Sequence, residues 1–145
     1  MDIMILYSKL IKMDIMMLKI QAQAQECMLE KSMIDQRKPM VVARVALHLY
    51  NIYQQCDEHL KSSGLADLLS SSRYKEVDRL CGAKSHLYGA ISSYYLGQQA
   101  DDEQQYGTRL AYFARALAHI NIAVQLCEKD EPNRHFVKLS NSRMM

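Results

Sequence analysis

Glycine and proline are scarce in this 145-residue chain: five glycines and two prolines. These residues punctuate β-rich folds, so their shortage argues for long helices joined by few turns. No stretch alternates apolar and polar residues for long, and no strand is expected. The charge is close to balanced, with 18 basic and 16 acidic residues and a net charge of +2. So even a balance does not point to nucleic acid or a strongly anionic surface as the main partner. The four cysteines, Cys27, Cys56, Cys81 and Cys127, form no Cys-x-x-Cys pair and no zinc spacing. Each falls in a helical segment, where a free cysteine serves as a small buried hydrophobe, so reduced structural thiols are expected.

Catalytic signatures are missing too. His48, His59, His86, His119 and His135 make no His-Glu-x-x-His arrangement. There is no glycine-rich phosphate loop and no Gly-x-Ser-x-Gly elbow. A cysteine-dependent phosphatase needs an arginine six positions after its nucleophile, to close a phosphate-cradling loop. Those positions hold Met33, Ser62, Leu87 and Asn133. Glu26 and Glu30, one helical turn apart, read as helix charges, with Glu26 either solvated or bonded to a neighbouring helix. Tyr50, Tyr53, Tyr88, Tyr94 and Tyr95 have no basic cluster between them and read as core, not as a base-stacking platform. No cofactor or metal is expected.

What is present is helical periodicity. Ile3, Leu6, Leu10, Met13, Met17, Ile20, Ala24 and Cys27 follow one another at steps of three and four. They mark one face of a long first helix that ends near Asp35. Asp2, Lys9, Lys12, Asp14 and Lys19 interrupt this segment, which suits neither a membrane span nor a signal peptide. Pro39 fits the first turn of a second helix, carrying Val42, Val45, Leu49, Ile52 and Cys56. Ser62-Ser63-Gly64 is a stop, residues 66–72 a short helical turn, and Ser70 to Ser72 a cap or loop. A third helix carries Leu80, Ala83, Leu87, Ala90 and Tyr94. Asp101-Asp102-Glu103 would suit the start of a fourth, which carries Tyr106, Leu110, Phe113, Leu117, Ile120, Val124 and Cys127 and ends before Pro132. Short connections imply antiparallel neighbours. Tyr95-Leu96-Gly97, Tyr106, Ala111-Tyr112-Phe113 and Ala116-Leu117 look like the second half of a tetratricopeptide repeat, with small residues admitting a neighbouring helix and large ones filling the groove.

Several blocks carry a more specific likeness. Ala22-Gln23-Ala24-Gln25-Glu26, then Asp35, Arg37-Lys38 and Val42-Ala43-Arg44, resemble the Bro-one domain found in Alix, rhophilin and the His-domain protein tyrosine phosphatase. Gly97-Gln98-Gln99-Ala100, Tyr106-Gly107, Arg109 and Ala111-Tyr112-Phe113 continue it, most like the phosphatase branch. The resemblance implies an all-α fold: an antiparallel helical array with tetratricopeptide-like helix pairs, a partial Bro-one domain over residues 1–131 followed by a divergent tail over 132–145. It implies a non-enzymatic scaffold of endosomal sorting, cytoplasmic and endosome-associated, reaching membranes peripherally through its partners. The implied partner is the C-terminal amphipathic helix of a subunit of the third endosomal sorting complex, bound helix-in-groove. The family's contact positions fall on Met28, Lys31, Val41 and Val45. Val41 and Val45 are four apart and share a helix face, just off the Val42–Leu49 core stripe. The alternatives are a helical oligomerisation module built on the methionine-rich first helix, or a truncated, non-functional piece of a tyrosine phosphatase homologue.

Overall fold

The computed structural model describes residues 2–62 and 70–128, without the side chains of residues 2, 4, 8 and 11. The described residues form four helices: α1 (Asp2–Ile34), α2 (Pro39–Ser62), α3 (Ser71–Asp102) and α4 (Tyr106–Cys127). Helices adjacent in sequence pack against each other: α1 on α2, α2 on α3, α3 on α4. The pairs are antiparallel. Gly82 lies against Leu126 and Gly97 against Phe113, so α3 and α4 run in opposite senses.

Two tight turns make this layout, and both are built alike. At the end of α1, Arg37 N–H donates to Ser32 C=O (3.0 Å) and Gln36 N–H to Met33 C=O (3.2 Å). At the end of α3, Gln105 N–H donates to Ala100 C=O (2.8 Å) and Gln104 N–H to Asp101 C=O (3.0 Å). This is the double hydrogen bond of a Schellman cap, which requires a left-handed residue. Gln36 (φ 52°) and Gln104 (φ 60°) supply it. Glycine usually takes this position, so a glycine-poor chain still turns, at some cost in strain.

Starts of helices follow the expected chemistry. Pro39 opens α2 and Ser70 caps α3, its hydroxyl accepting from Arg73 N–H. The acidic run Asp101-Asp102-Glu103, expected to open α4, instead closes α3. Carboxylates there face the negative end of a helix dipole. Asp101 is compensated by Arg109 of α4, at 2.7 Å. The expected turn over residues 66–72 lies outside the described residues up to Leu69, as do Pro132 and the tail.

The core centres on the middle of α3, buried without a break from Leu87 to Ser93 because α2 and α4 cover opposite sides. On α2, Val42, Leu49, Ile52 and Cys56 are buried and Val45 half-buried, as the stripe requires. The α1 stripe is a correction. Ile3, Leu6, Leu10, Met13, Met17 and Ile20 are all more than half exposed, and Ala24 and Cys27 are exposed as well. α1 instead packs through Ile15, Leu18, Ala22, Leu29 and Met33. The α4 stripe divides: Ile120 and Cys127 are buried, whereas Tyr106, Leu110 and Leu117 stay exposed. Ala116 and Ala123 carry much of that interface in their place. All four cysteines are free thiols; Cys56, Cys81 and Cys127 are buried as expected, and Cys27 is not.

Candidate functional site

The four expected partner-binding residues flank the α1–α2 turn. Met28 and Lys31 lie on the last turns of α1, and Val41 and Val45 on the first turns of α2. Their burial differs. Met28 is 53% exposed and Val41 44% exposed, while their sequence neighbours Leu29 and Val42 are buried. Leu29 and Val42 therefore hold the helix pair together and turn Met28 and Val41 outward. Lys31 is exposed and bridges to Asp35 at 3.4 Å, so its ammonium sits beside the turn. Val45 is half-buried and packs on the main core cluster. The two valines that the four-residue spacing places on one face thus differ in burial: Val41 is exposed, and Val45 supports the fold.

Behind this surface a polar clamp fixes α1 to the array. Glu26 accepts from the Tyr53 hydroxyl of α2 at 2.5 Å and from Lys84 Nζ of α3 at 2.9 Å. Tyr53 stacks on Tyr88, with centroids 5.8 Å apart and planes at 10°, and the Lys84 ammonium lies 5.6 Å over the Tyr53 ring. Burial, then the nearby Glu26 carboxylate, push both phenols well above their ordinary range. They remain neutral donors at any physiological pH. Of the two alternatives for Glu26, bonding to a neighbouring helix is the one observed, and it reaches two helices. Ala22, one turn earlier, is fully buried and allows the close approach. The Ala-Gln-Ala-Gln-Glu block thus has a packing residue and a clamping residue four apart on one face.

The later block is explained the same way. The Phe113 ring rests on Gly97, where an added Cβ would lie 2.5 Å from a ring carbon. Tyr94 stacks on the same ring, centroids 5.7 Å apart. Gly97 and Phe113 thus join the two blocks Gly97-Gln98-Gln99-Ala100 and Ala111-Tyr112-Phe113 through one close contact.

Sequence reasoning missed one side-chain pair. His86 of α3 and His119 of α4 place their Nδ1 atoms 3.0 Å apart. Burial lowers the basicity of both, and His86 and Arg115 lower that of His119 further. Two neutral imidazoles can share such a contact, one donating and one accepting. The pair is 33 residues apart and carries no local sequence signal. His119 also lines a groove of about 190 Å³ with Leu47, Tyr50, Ser92 and Arg115. Among the described residues no three His, Cys, Asp or Glu side chains gather to hold a metal ion.

Comparison with known proteins gives a consistent assignment. The BRO1-like domain matches residues 10–143. Tyrosine-protein phosphatase non-receptor type 23 of Homo sapiens is 37% identical over 111 residues, covering 77% of this chain and 7% of the relative. ALG-2 interacting protein X of Dictyostelium discoideum is 27% identical over 100 residues, covering 69% of the chain and 12% of the relative. The pH-response regulator protein palA/RIM20 of Emericella nidulans is 29% identical over 105 residues, covering 72% and 12% respectively. The chain therefore spans only a small part of the length of these relatives.

Proposed function

The chain belongs to the BRO1-like domain family, and from that premise we propose that it is a non-enzymatic protein-binding scaffold of endosomal sorting. Its ligand is an amphipathic helix from the C-terminus of a subunit of the third endosomal sorting complex. The helix lies across the α1–α2 surface, with Met28 and Val41 as apolar anchors and Lys31 meeting an acidic flank. Val45 forms the floor beneath. The observation that supports this reading best is the outward placement of Met28 and Val41 beside buried Leu29 and Val42. An unbranched thioether adapts to a partner's shape, and a valine four residues from Val45 continues an apolar ridge. A role in cytoplasmic, endosome-associated assemblies follows from the same reading. No phosphatase chemistry is included, because none of the four cysteines has an arginine six positions later.

The test uses Val41→Asp and titration with the partner helix. A carboxylate against an apolar helix is desolvated without a partner. Affinity should fall about thirtyfold, the loss expected of a hot-spot contact worth about 2 kcal/mol. Because Val41 is exposed and belongs to no core cluster among the described residues, the melting curve should stay near that of the parent chain. Val45→Asp should lose both binding and stability. Unchanged binding by Val41→Asp, with a normal melt, would refute the site.

A further inference from the structure

We propose that the exposed apolar stripe of α1 is a self-association seam: two copies of this chain pair through α1 as a parallel, in-register, two-stranded coiled coil. Three observations carry this. The first is the register. Ile3, Leu10 and Met17 occupy the a positions of a heptad, and Leu6, Met13 and Ile20 the d positions, with Ala24 and Cys27 continuing both series. A strict 3.5-residue period is what a left-handed pair of helices needs. A helix that merely packs on a globular core needs a broader 3.6-residue face instead.

The second observation is that this face is separate from the intramolecular one. α1 packs on the rest of the chain through Ile15, Ala22 and Leu29 at f, Leu18 at b and Met33 at c. These positions lie on the opposite side from a and d. The six large stripe residues are 51–81% exposed, so a second copy could cover them with no rearrangement. Ile15 packs with Leu60, two residues before α2 ends. The first turns of α1 therefore project past the described end of α2. The family match starts at residue 10, so Ile3, Leu6 and Lys9 precede it.

The third observation chooses the occupant and its direction. Lys9 is at g and Asp14 at the e position of the next heptad, and both are exposed. In a parallel in-register pair, g of one helix meets the following e of its mate. Lys9 then faces Asp14 of the second copy, twice by symmetry, which is the charge complementarity of a matched coiled coil. The seam closes where Lys31 takes an a position. Met28, at e, lies at the edge between this seam and the proposed helix-binding surface.

The test uses the full 145-residue chain. Light scattering after size exclusion, from low to high micromolar concentration, should show a monomer–dimer equilibrium. Leu10→Asp puts two unpaired carboxylates into the seam and should weaken dimerisation roughly a hundredfold or more. Its helicity should hold, because Leu10 is exposed and belongs to no core cluster among the described residues. Asp14→Lys should weaken the dimer through two like-charge contacts, and the double exchange Lys9→Glu with Asp14→Lys should restore it. Direction is read from Cys27, which a parallel register brings face to face with its counterpart at d. Mild oxidation should give a covalent dimer that Cys27→Ser abolishes. A chain monomeric at every concentration overturns the proposal. So does a dimer unaffected by Leu10→Asp, or one in which Cys27 does not cross-link.

Discussion

Gly97→Ala tests whether the contact between the two C-terminal sequence blocks governs the α3–α4 interface. A Cβ at position 97 would lie 2.5 and 2.6 Å from two Phe113 ring carbons. Ordinary contact begins near 3.4 Å, so the ring or the helix must yield by about 1 Å, a displacement of the size that makes overpacked cores costly. The ring has little freedom to yield, because Tyr94 stacks against it from α3 itself. Overpacking of this kind costs about 1–3 kcal/mol. Alanine's better helix propensity returns about 1 kcal/mol. With the ring confined, the upper part of the range applies, and the net loss should be about 2 kcal/mol.

Two further variants turn that figure into a sharp comparison. Gly107→Ala, in the first turn of α4, meets nothing within 4 Å. It should be neutral to stabilising by up to about 1 kcal/mol, since only propensity acts there. Combining Gly97→Ala with Phe113→Leu should cost less than the sum of the single changes, because the smaller side chain frees the volume. Urea unfolding followed by far-ultraviolet circular dichroism measures all three, with an unchanged slope as the control for a common unfolded state. If Gly97→Ala proves as stable as Gly107→Ala, the close approach is not what position 97 contributes, and the account of the paired blocks fails.

Three other outcomes are expected. Glu26→Ala deprives Tyr53 and Lys84 of a shared, half-buried acceptor and should cost about 1–3 kcal/mol in the same unfolding assay, while Glu26→Gln, which keeps an acceptor, should cost less. Gln36→Gly relieves a left-handed side chain and should raise stability by up to about 1 kcal/mol. The His86–His119 pair should make stability depend on pH: its folded basicity is depressed below the ordinary imidazole value of 6.5, so its contribution is complete above that pH and declines as the pH falls below it. Thermal melts across that range should show the decline, and His86→Gln should flatten it.

Much of the array was legible because its helices obey local rules. Pro39 at the first position of α2 and Ser70 as a cap need only their own neighbours to act. The α2 stripe was readable because that helix is covered along one continuous face. The acidic run at Asp101 to Glu103 misled for a physical reason: carboxylates favour a helix start in isolation, but Arg109, eight residues on, neutralises Asp101 at a helix end. A charge partner from the next helix outweighs the dipole preference. Likewise the first turn was expected from Pro39 and the second from the acidic run, whereas left-handed Gln36 and Gln104 close the preceding helices. The two Schellman hydrogen bonds offset the strain, and side-chain chemistry gives no hint of that. The proposed binding role of Met28 and Val41 was suggested only by family likeness. Their exposure goes with the burial of Leu29 and Val42 in one core cluster drawn from several helices, which no single-helix pattern contains.

The first helix shows where periodicity stops being informative. Two apolar series run along it. Ile3 to Ile20 is the more regular, and its residues are larger and more numerous. Ile15, Leu18, Ala22, Leu29 and Met33 are fewer, include an alanine, and are broken at positions 25 and 26 by Gln25 and Glu26. Hydrophobic weight favours the first series, yet α2 takes the second. The reason lies in what each face offers a close neighbour. Ala22 lets the backbones approach, and Glu26 gains Tyr53 and Lys84 as partners in a half-buried site. The regular stripe supplies bulk without such a donor set. A face built from Ile, Leu and Met at a strict 3.5-residue period suits a helix of the same kind, presenting the same knobs and holes. α2 is not such a helix: Val42, Ala46, Leu49 and Tyr53 line its buried side with mixed sizes and a hydroxyl. A second α1 is. The same difference in shape and polarity that sends α2 to the weaker stripe leaves the stronger one matched to its own copy.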